Sequence, residues 1–214
     1  GPEPAPGPGR PEALLGRLAD HIGLAPDVVI RHGAKIPAEE FAARLLEAEG
    51  RLLSLYDASI DEPAPHPAAG RTRDSRLARI SAAVTAAFND EIRTRLGVTT
   101  DLTYHVLNRR VGAQWSWENG DWGGGPGAAE NLERAMKTVP GMTALIAHGL
   151  YDLVTPYFAT RFLAGQLDLP ADLRRRLTLA TYEGGHMFYS HTAARTAFTA
   201  DARRFYGEMV DAGP

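Results

Sequence analysis

The chain has 214 residues, of which 44% are hydrophobic and 23% are charged, and its net charge is −3. The composition is that of a globular protein, and the length suffices for one large domain or a core with a subdomain. No basic stripe is present, which argues against nucleic-acid binding. The lack of cysteines excludes disulfides, thiolate metal sites and a cysteine nucleophile. We therefore expect no nucleic-acid partner, no metal and no organic cofactor.

Nothing in the sequence predicts membrane insertion or fixes the compartment. No apolar stretch approaches the ~20 residues that a membrane-spanning helix needs. The opening segment GPEPAPGPGRP has no apolar signal-peptide core and no initiator methionine. We expect no membrane partner, and the localisation stays open between secreted and cytoplasmic.

The first 140 residues favour helices. Apolar residues recur at helical spacing in residues 11–24, 37–50 and 74–97, and Asp74 is placed to cap the longest of these segments. RLLSLYD predicts a short extended piece, and DEPAPHPAAG predicts a proline-rich surface loop. The segment DLTYHVLN is strand-like or extended. We expect this part of the chain to be a mostly helical region over residues 1–140.

The chain from residue 141 predicts a parallel α/β arrangement. TALIAHGLYD and RLTLATY are apolar runs typical of buried parallel strands. TPYFATRFLAGQL and HTAARTAFTADARRFYGEMV have the character of helices. The order strand–helix–strand–helix indicates an α/β fold with a parallel sheet over residues 141–214.

Two titratable residues follow the predicted strands. Asp152 follows the first, and His186 follows the second, directly after Gly184 and Gly185. Parallel sheets bind ligands at the carboxyl ends of their strands, and a carboxylate beside a histidine fixes its tautomer and stabilises the imidazolium. The simpler alternatives are that Asp152 caps the next helix and that His186 is a polar turn residue. Their joint placement, in the Asp-then-His order of α/β-hydrolases, favours a catalytic pair within hydrogen-bond distance.

The motifs HGLYDLVTPY and YEGGHMFY resemble the C-terminal part of the serine carboxypeptidase family. Gly149-Leu150-Tyr151-Asp152 is similar to the family's G-x-x-D turn, and Gly185-His186-Met187 is similar to its G-H-M motif. The resemblance covers about residues 11–206 and includes segments similar to the helical cap of bacterial members. It implies an α/β-hydrolase fold, with a cap at 1–140 and the last strand–helix units of the core at 141–214.

The resemblance also implies roles for individual residues. His186 would act as general base and then general acid, and Asp152 would orient it. Phe188-Tyr189 replaces the Val-Pro common in eukaryotic members, which predicts an altered leaving-group pocket. We expect a peptide or small acyl substrate to contact side chains beside the pair and in the segment WSWENGDWGGGPG, namely Met187, Tyr151, Tyr189, Trp115 and Trp117. The alternative for the tryptophans is that they pack the cap against the core.

The nucleophile is missing from the sequence. A serine hydrolase of this fold carries its serine in a G-x-S-x-G turn, and none of the six serines here has glycines at both positions. No HGGG-like oxyanion loop is present either. In the family both features precede the cap. We therefore expect the serine to lie on a second polypeptide or on a cleaved N-terminal half, which would also complete the sheet.

Two other functions stay open. The first is an acyltransferase of the same fold, in which a second substrate replaces water. The other is a non-catalytic remnant that serves as a binding or structural subunit. A G-x-S-x-G serine in the missing half would favour an enzyme.

Overall fold

A computed structural model of the protein describes residues 10–65, 74–115 and 128–211. Within these ranges the protein is mixed α/β, with two small sheets among its helices. The α-helices are α1 (Arg10–Ile22), α2 (Pro26–Arg31), α3 (Ala38–Arg44), α4 (Ser75–Thr94), α5 (Arg109–Gln114), α6 (Ala129–Thr138), α7 (Tyr157–Gln166), α8 (Ala171–Arg174) and α9 (Thr192–Asp211). The strands are β1 (Arg51–Leu53), β2 (Asp61–Pro63), β3 (Ala144–Gly149) and β4 (Leu177–Tyr182). No helix in these ranges is long and apolar enough to cross a membrane.

The first three helices largely follow the apolar periodicity of the sequence. Helices α1 and α3 lie in the predicted segments, although α3 ends early and a 3-10 turn, Glu47–Glu49, leads to Gly50 in a left-handed conformation. Helix α2 was not predicted, and Pro26 begins it, as suits a first helical turn. The buried side chain of Val29 packs in a cluster formed by α1 and α2.

The prediction of a loop over residues 61–70 is wrong for its first three residues. These residues form β2, which pairs antiparallel with β1, while residues 66–70 lie outside the described ranges. Arg51 and Asp61 form an ion pair across the hairpin. Proline has no N–H to donate to a sheet, so it is tolerated mainly where that donor is not needed, as on an edge strand. Pro63 lies at the end of such a strand.

Helix α4 begins as predicted, at a cap formed by Asp74. One carboxylate oxygen of Asp74 accepts the N–H of Leu77 at 3.0 Å, and the other accepts the Ser54 hydroxyl at 2.9 Å and the Leu55 N–H at 2.7 Å. The cap thus ties α4 to the turn that follows β1. Val84 and Phe88, on the apolar stripe of α4, are nevertheless exposed.

Residues 101–108 form no strand. Their backbone is held by a side chain instead. Nδ2 of Asn89 donates to the Tyr104 carbonyl, and Oδ1 of Asn89 accepts the Tyr104 N–H, each at 3.0 Å. A side-chain amide that pairs with a backbone in this way replaces a strand neighbour.

The predicted order strand–helix–strand–helix is confirmed by β3, α7, β4 and α9. Strands β3 and β4 pair in parallel, from Ala144 opposite Leu177 to Gly149 opposite Tyr182. The expected burial is met only in part, because residues 144–148 are all half-buried. The physical reason is that each strand has a single neighbour: within the described ranges no further strand pairs with either outer edge.

Among the residues that the structure describes, buried apolar side chains form three separate clusters rather than one core. Beside the α1–α2 cluster, a second surrounds Met136 of α6, and a third contains Tyr182 and Phe188. In the third, the rings of Tyr182 and Phe188 stack at 4.9 Å, and the Tyr182 hydroxyl donates to Asp201 of α9 at 2.8 Å. Burial and this bond raise the pKa of Tyr182 to about 12. The cluster fixes the segment after β4 against α9.

Candidate active site

The parallel register brings the ends of β3 and β4 to one edge of the sheet. Beyond the last strand pair, the Leu150 N–H donates to the Tyr182 carbonyl at 2.8 Å and the Tyr151 N–H donates to the Gly184 carbonyl at 3.0 Å. The two chains therefore stay together as they leave the sheet. Asp152 and His186 follow directly after these bonded segments, and their side chains face each other.

Asp152 and His186 form the expected hydrogen bond. The distance between His186 Nδ1 and Asp152 Oδ2 is 2.9 Å, and the Asp152 side chain is 3% exposed whereas that of His186 is 38% exposed. The predicted proximity is thereby confirmed, while the catalytic roles of the two residues stay predictions. A buried carboxylate hydrogen-bonded to a half-exposed imidazole also occurs in Ser-His-Asp triads.

Asp152 also organises the turn that follows it. Its Oδ1 accepts the N–H groups of Val154 at 2.8 Å and of Thr155 at 2.9 Å, and its Oδ2 accepts the Thr155 hydroxyl. Capping and pairing with histidine were alternatives in the sequence, but one carboxylate does both here. The capped element is this turn, and α7 itself begins after Pro156 without a side-chain cap.

The charge state of Asp152 follows from these contacts. Burial raises the pKa of the carboxyl, but the bonds from the Thr155 hydroxyl, the Thr155 N–H and His186 outweigh burial and hold the pKa below its ordinary value. The carboxylate is therefore ionised at neutral pH. Because an ionised carboxylate only accepts hydrogen bonds, Nδ1 carries the proton of the neutral His186 ring, and Nε2 carries the lone pair.

Close backbone packing explains the glycines before His186. A β-carbon on Gly149 would collide with the Gly185 carbonyl, and one on Gly185 would collide with the Tyr56 carbonyl. Gly184 has a φ of +119°, which side-chain-bearing residues rarely adopt. The two glycines therefore let three backbone segments meet behind the histidine.

The third segment is the turn between β1 and β2, which the sequence did not place near the site. The Tyr56 carbonyl accepts the His186 N–H at 2.7 Å, and the rings of these residues meet edge to face at 5.5 Å. The Leu55 carbonyl accepts the Leu153 N–H at 3.1 Å, and the Ala58 N–H donates to Tyr151 at 2.9 Å. The turn thus holds the loops that carry both Asp152 and His186.

A second carboxylate–histidine contact lies behind the first. Asp57, 2% exposed, is 3.3 Å from Nε2 of His191 and accepts the Ser59 hydroxyl at 2.6 Å. These polar groups join the β1–β2 turn to the start of α9. A sequence signal existed in the spacing Ser54, Asp57 and Ser59, because short polar residues that bond nearby N–H groups are typical of turns.

The other predicted site residues are placed unevenly. Tyr151 and Met187 are half-buried neighbours of the pair, and Tyr189 is exposed with its ring against Phe188 at 5.6 Å. Trp115 is exposed at the end of α5. Trp117 lies outside the described residues. The structure thus keeps Tyr151 and Met187 beside Asp152 and His186, and it leaves the substrate roles of all five as predictions.

No cluster of three potential metal ligands occurs in the parts of the chain that the structure describes. Comparison of the chain with protein-family models, with curated proteins and with solved structures finds no match. The resemblance to serine carboxypeptidases therefore stays a prediction from the sequence motifs.

Gly185→Ala tests the close packing behind His186. The new methyl group must displace the backbone of Tyr56 and Asp57, so we expect a loss of about 2–3 kcal/mol in the free energy of unfolding, as for other overpacked positions. The matched control is Gly165→Ala in α7, where a β-carbon meets nothing within 4 Å. That change should stabilise the protein by about 0.5–1 kcal/mol. Urea unfolding of the assembly in which the chain purifies measures both, and a Gly185→Ala protein as stable as the wild type contradicts the observed packing.

Asp152→Asn tests the ionised carboxylate. Because the folded-state pKa of Asp152 lies below the ordinary value of 3.8, its ionisation stabilises the fold above that pH and the contribution is lost as the pH falls through the folded-state pKa. We expect the variant to be less stable than the wild type at pH 6 by about 1.5–3 kcal/mol, the range for bonds to charged groups. The difference should shrink below pH ~4.

The control for this measurement is Asp168→Asn. The Asp168 side chain is 94% exposed and pairs with Lys137, so its change should stay within about 0.5 kcal/mol. A wild-type advantage over Asp152→Asn that is constant down to pH 2 would show that the charge of Asp152 contributes nothing.

Proposed function

We propose that the chain supplies the acid and the base of a serine carboxypeptidase-like hydrolase with an α/β-hydrolase fold. The observation that carries the proposal is the 2.9 Å contact between Asp152 and His186, placed just beyond two adjacent parallel strands. Ligands of parallel sheets bind at that edge. The G-x-x-D and G-H-M motifs agree with the same assignment.

The reaction uses the free nitrogen of His186. Nε2 takes the proton of a serine hydroxyl while the serine oxygen attacks the carbonyl carbon of the substrate. The imidazolium then gives this proton to the leaving group, and the Asp152 carboxylate stabilises the cation in the meantime. A water molecule then attacks the acyl-serine, with His186 again acting first as base and then as acid, and the carboxylic acid product is released. Among the described residues no serine hydroxyl bonds to His186, whose one hydroxyl contact is with Thr155 on the Nδ1 side.

A second polypeptide, or another part of the same precursor, provides the serine and the neighbouring strands in this proposal. Its support is the open state of the sheet: within the described ranges neither outer edge is paired. Helix α7, which connects the two strands, also exposes Phe158 and Phe162, and both side chains are at least 60% exposed. Unpaired edges and exposed aromatic side chains are features that proteins normally cover.

His186→Ala tests the catalytic assignment. In the assembly that the chain forms in its native cells, a fluorophosphonate probe should label a serine on a segment outside these 214 residues. The variant should lose the labelling and at least about 10³-fold in kcat, since the serine has no base. His21→Ala, on the exposed side of α1, is the matched control and should retain full labelling.

The substrates separate the alternatives in the same assay. A carboxypeptidase cleaves a blocked dipeptide with a free carboxyl terminus and spares the amidated form. Transfer to an added amine or alcohol at the expense of hydrolysis would favour the acyltransferase. An assembly without a labelled serine, or a His186→Ala protein with normal turnover, would overturn the proposal and favour a binding or structural subunit.

Expression of the 214 residues alone tests the partner. We expect aggregation or a broad thermal transition, because the strand edges and the exposed faces stay open. Coexpression with the serine-bearing segment should give a soluble complex that buries more than ~2,000 Å² in total. Sedimentation and calorimetry measure both. A soluble monomer with a sharp, cooperative transition would contradict the need for a second segment.

A further inference from the structure

Thr155 contacts both members of the Asp152–His186 pair. Its hydroxyl oxygen is bonded to Asp152 Oδ2 and lies 3.2 Å from His186 Nδ1, and its N–H donates to Asp152 Oδ1 at 2.9 Å. One residue therefore holds both oxygens of the carboxylate and approaches the imidazole. Neither the G-x-x-D motif nor the helical pattern of the sequence singled it out.

The proton positions in this group follow from its donors and acceptors. The carboxylate accepts only, so the single hydroxyl proton of Thr155 points to Oδ2. The lone pairs of the hydroxyl oxygen then face Nδ1, which can approach them only as N–H. The Nδ1 proton is shared between Oδ2 at 2.9 Å and Oγ1 at 3.2 Å, and the opposite tautomer would place two lone pairs against each other.

The ring of His186 has no other polar partner among the described residues. Tyr56 bonds the backbone N–H of His186 and touches the ring through its own ring edge, which limits the position of the residue without selecting a tautomer. Asp152 and Thr155 therefore select the tautomer of His186. With one acceptor, the imidazole can still rotate about its hydrogen bond to the Asp152 carboxylate. Two acceptors define the plane of the ring.

We propose that Thr155 is a positioning residue, whose hydroxyl holds Asp152 and His186 in register and adds a second acceptor that helps Asp152 to hold the His186 proton on Nδ1. The catalytic consequence depends on the function proposed above, because a proton on Nδ1 is what frees Nε2 to act as a base. The state of the ring itself does not depend on any activity. A threonine that only capped the turn would stabilise the fold, and loss of its hydroxyl would leave the nitrogen shifts of His186 unchanged.

The test observes the ring nitrogens directly. The chain is labelled with ¹⁵N-histidine in the assembly in which it purifies, and the His186 signals are assigned by their loss in His186→Gln. At pH values where the ring is neutral, long-range ¹H–¹⁵N spectra report which nitrogen carries the proton. We expect the wild type to show the proton on Nδ1, and a proton on Nε2 would overturn the proposal without any variant.

Two substitutions separate the hydroxyl from the rest of the side chain. Thr155→Val preserves the shape and removes the hydroxyl, so the Nδ1 proton, then held by Asp152 alone, should exchange faster and the nitrogen shifts of His186 should move away from the wild-type values. Thr155→Ser keeps the hydroxyl and should retain the wild-type signals. Thr196→Val in α9 is the matched control and should leave His186 unchanged, because the Thr196 hydroxyl donates to the Thr192 carbonyl of its own helix at 2.9 Å.

Every outcome decides the proposal. Wild-type shifts in Thr155→Val, or altered shifts in Thr155→Ser, would overturn it. If Thr155→Val does not fold, Thr155→Ala removes the same hydroxyl and decides in its place. Because the spectra require no turnover, a failure here leaves the serine-labelling experiment unaffected, and an assembly without a reactive serine leaves the tautomer measurement intact.

Discussion

The parallel pairing of β3 with β4 is the constraint on which the rest of the site depends. Its register ends with Gly149 opposite Tyr182, so the two chains leave the sheet at the same edge and remain bonded through Leu150 and Tyr151. A shift by one residue would turn every side chain to the other face of the sheet. Asp152 and His186 would then no longer meet, and Gly149 would no longer provide the space that the Gly185 carbonyl occupies.

The buried carboxylate of Asp152 shows that structural and chemical roles do not exclude each other. Its two oxygens accept two backbone N–H groups, one hydroxyl and one imidazole N–H. An ionised group with so little exposure is tolerated only when its acceptor capacity is filled. The same four bonds that make burial possible also fix the direction in which His186 approaches. A network of this kind stabilises the turn and presents Nε2 outward.

The sequence could predict what local patterns determine. Helices α1 and α4, strands β3 and β4, the Asp74 cap and the Asp152–His186 contact all follow from apolar periodicity, capping residues and the geometry of parallel strands. The β1–β2 turn behind His186 could not be predicted, because its contacts join residues 93 to 130 positions apart through backbone groups that every residue has. The role of Thr155 could not be predicted for a different reason. A threonine before a proline is common in turns, and nothing in the sequence indicates that its hydroxyl contacts both Asp152 and His186.

The polar groups of this molecule are mostly hydrogen-bonded, whereas part of its apolar surface is uncovered, and this contrast indicates where the proposed partner would bind. Behind the site, Leu55, Tyr56 and Ala58 close the backbone bonds of both loops, and the buried Asp57 is bonded on several sides. Beside the sheet, strands whose side chains are mostly apolar remain half-buried, and α7 exposes aromatic rings. Proteins normally cover unpaired strand edges and exposed apolar faces, whereas a turn whose polar groups are already hydrogen-bonded has no such need. A further segment would therefore extend the sheet laterally. An added parallel strand would end at the same edge as β3 and β4, which is where a serine at its carboxyl end would face Nε2 of His186.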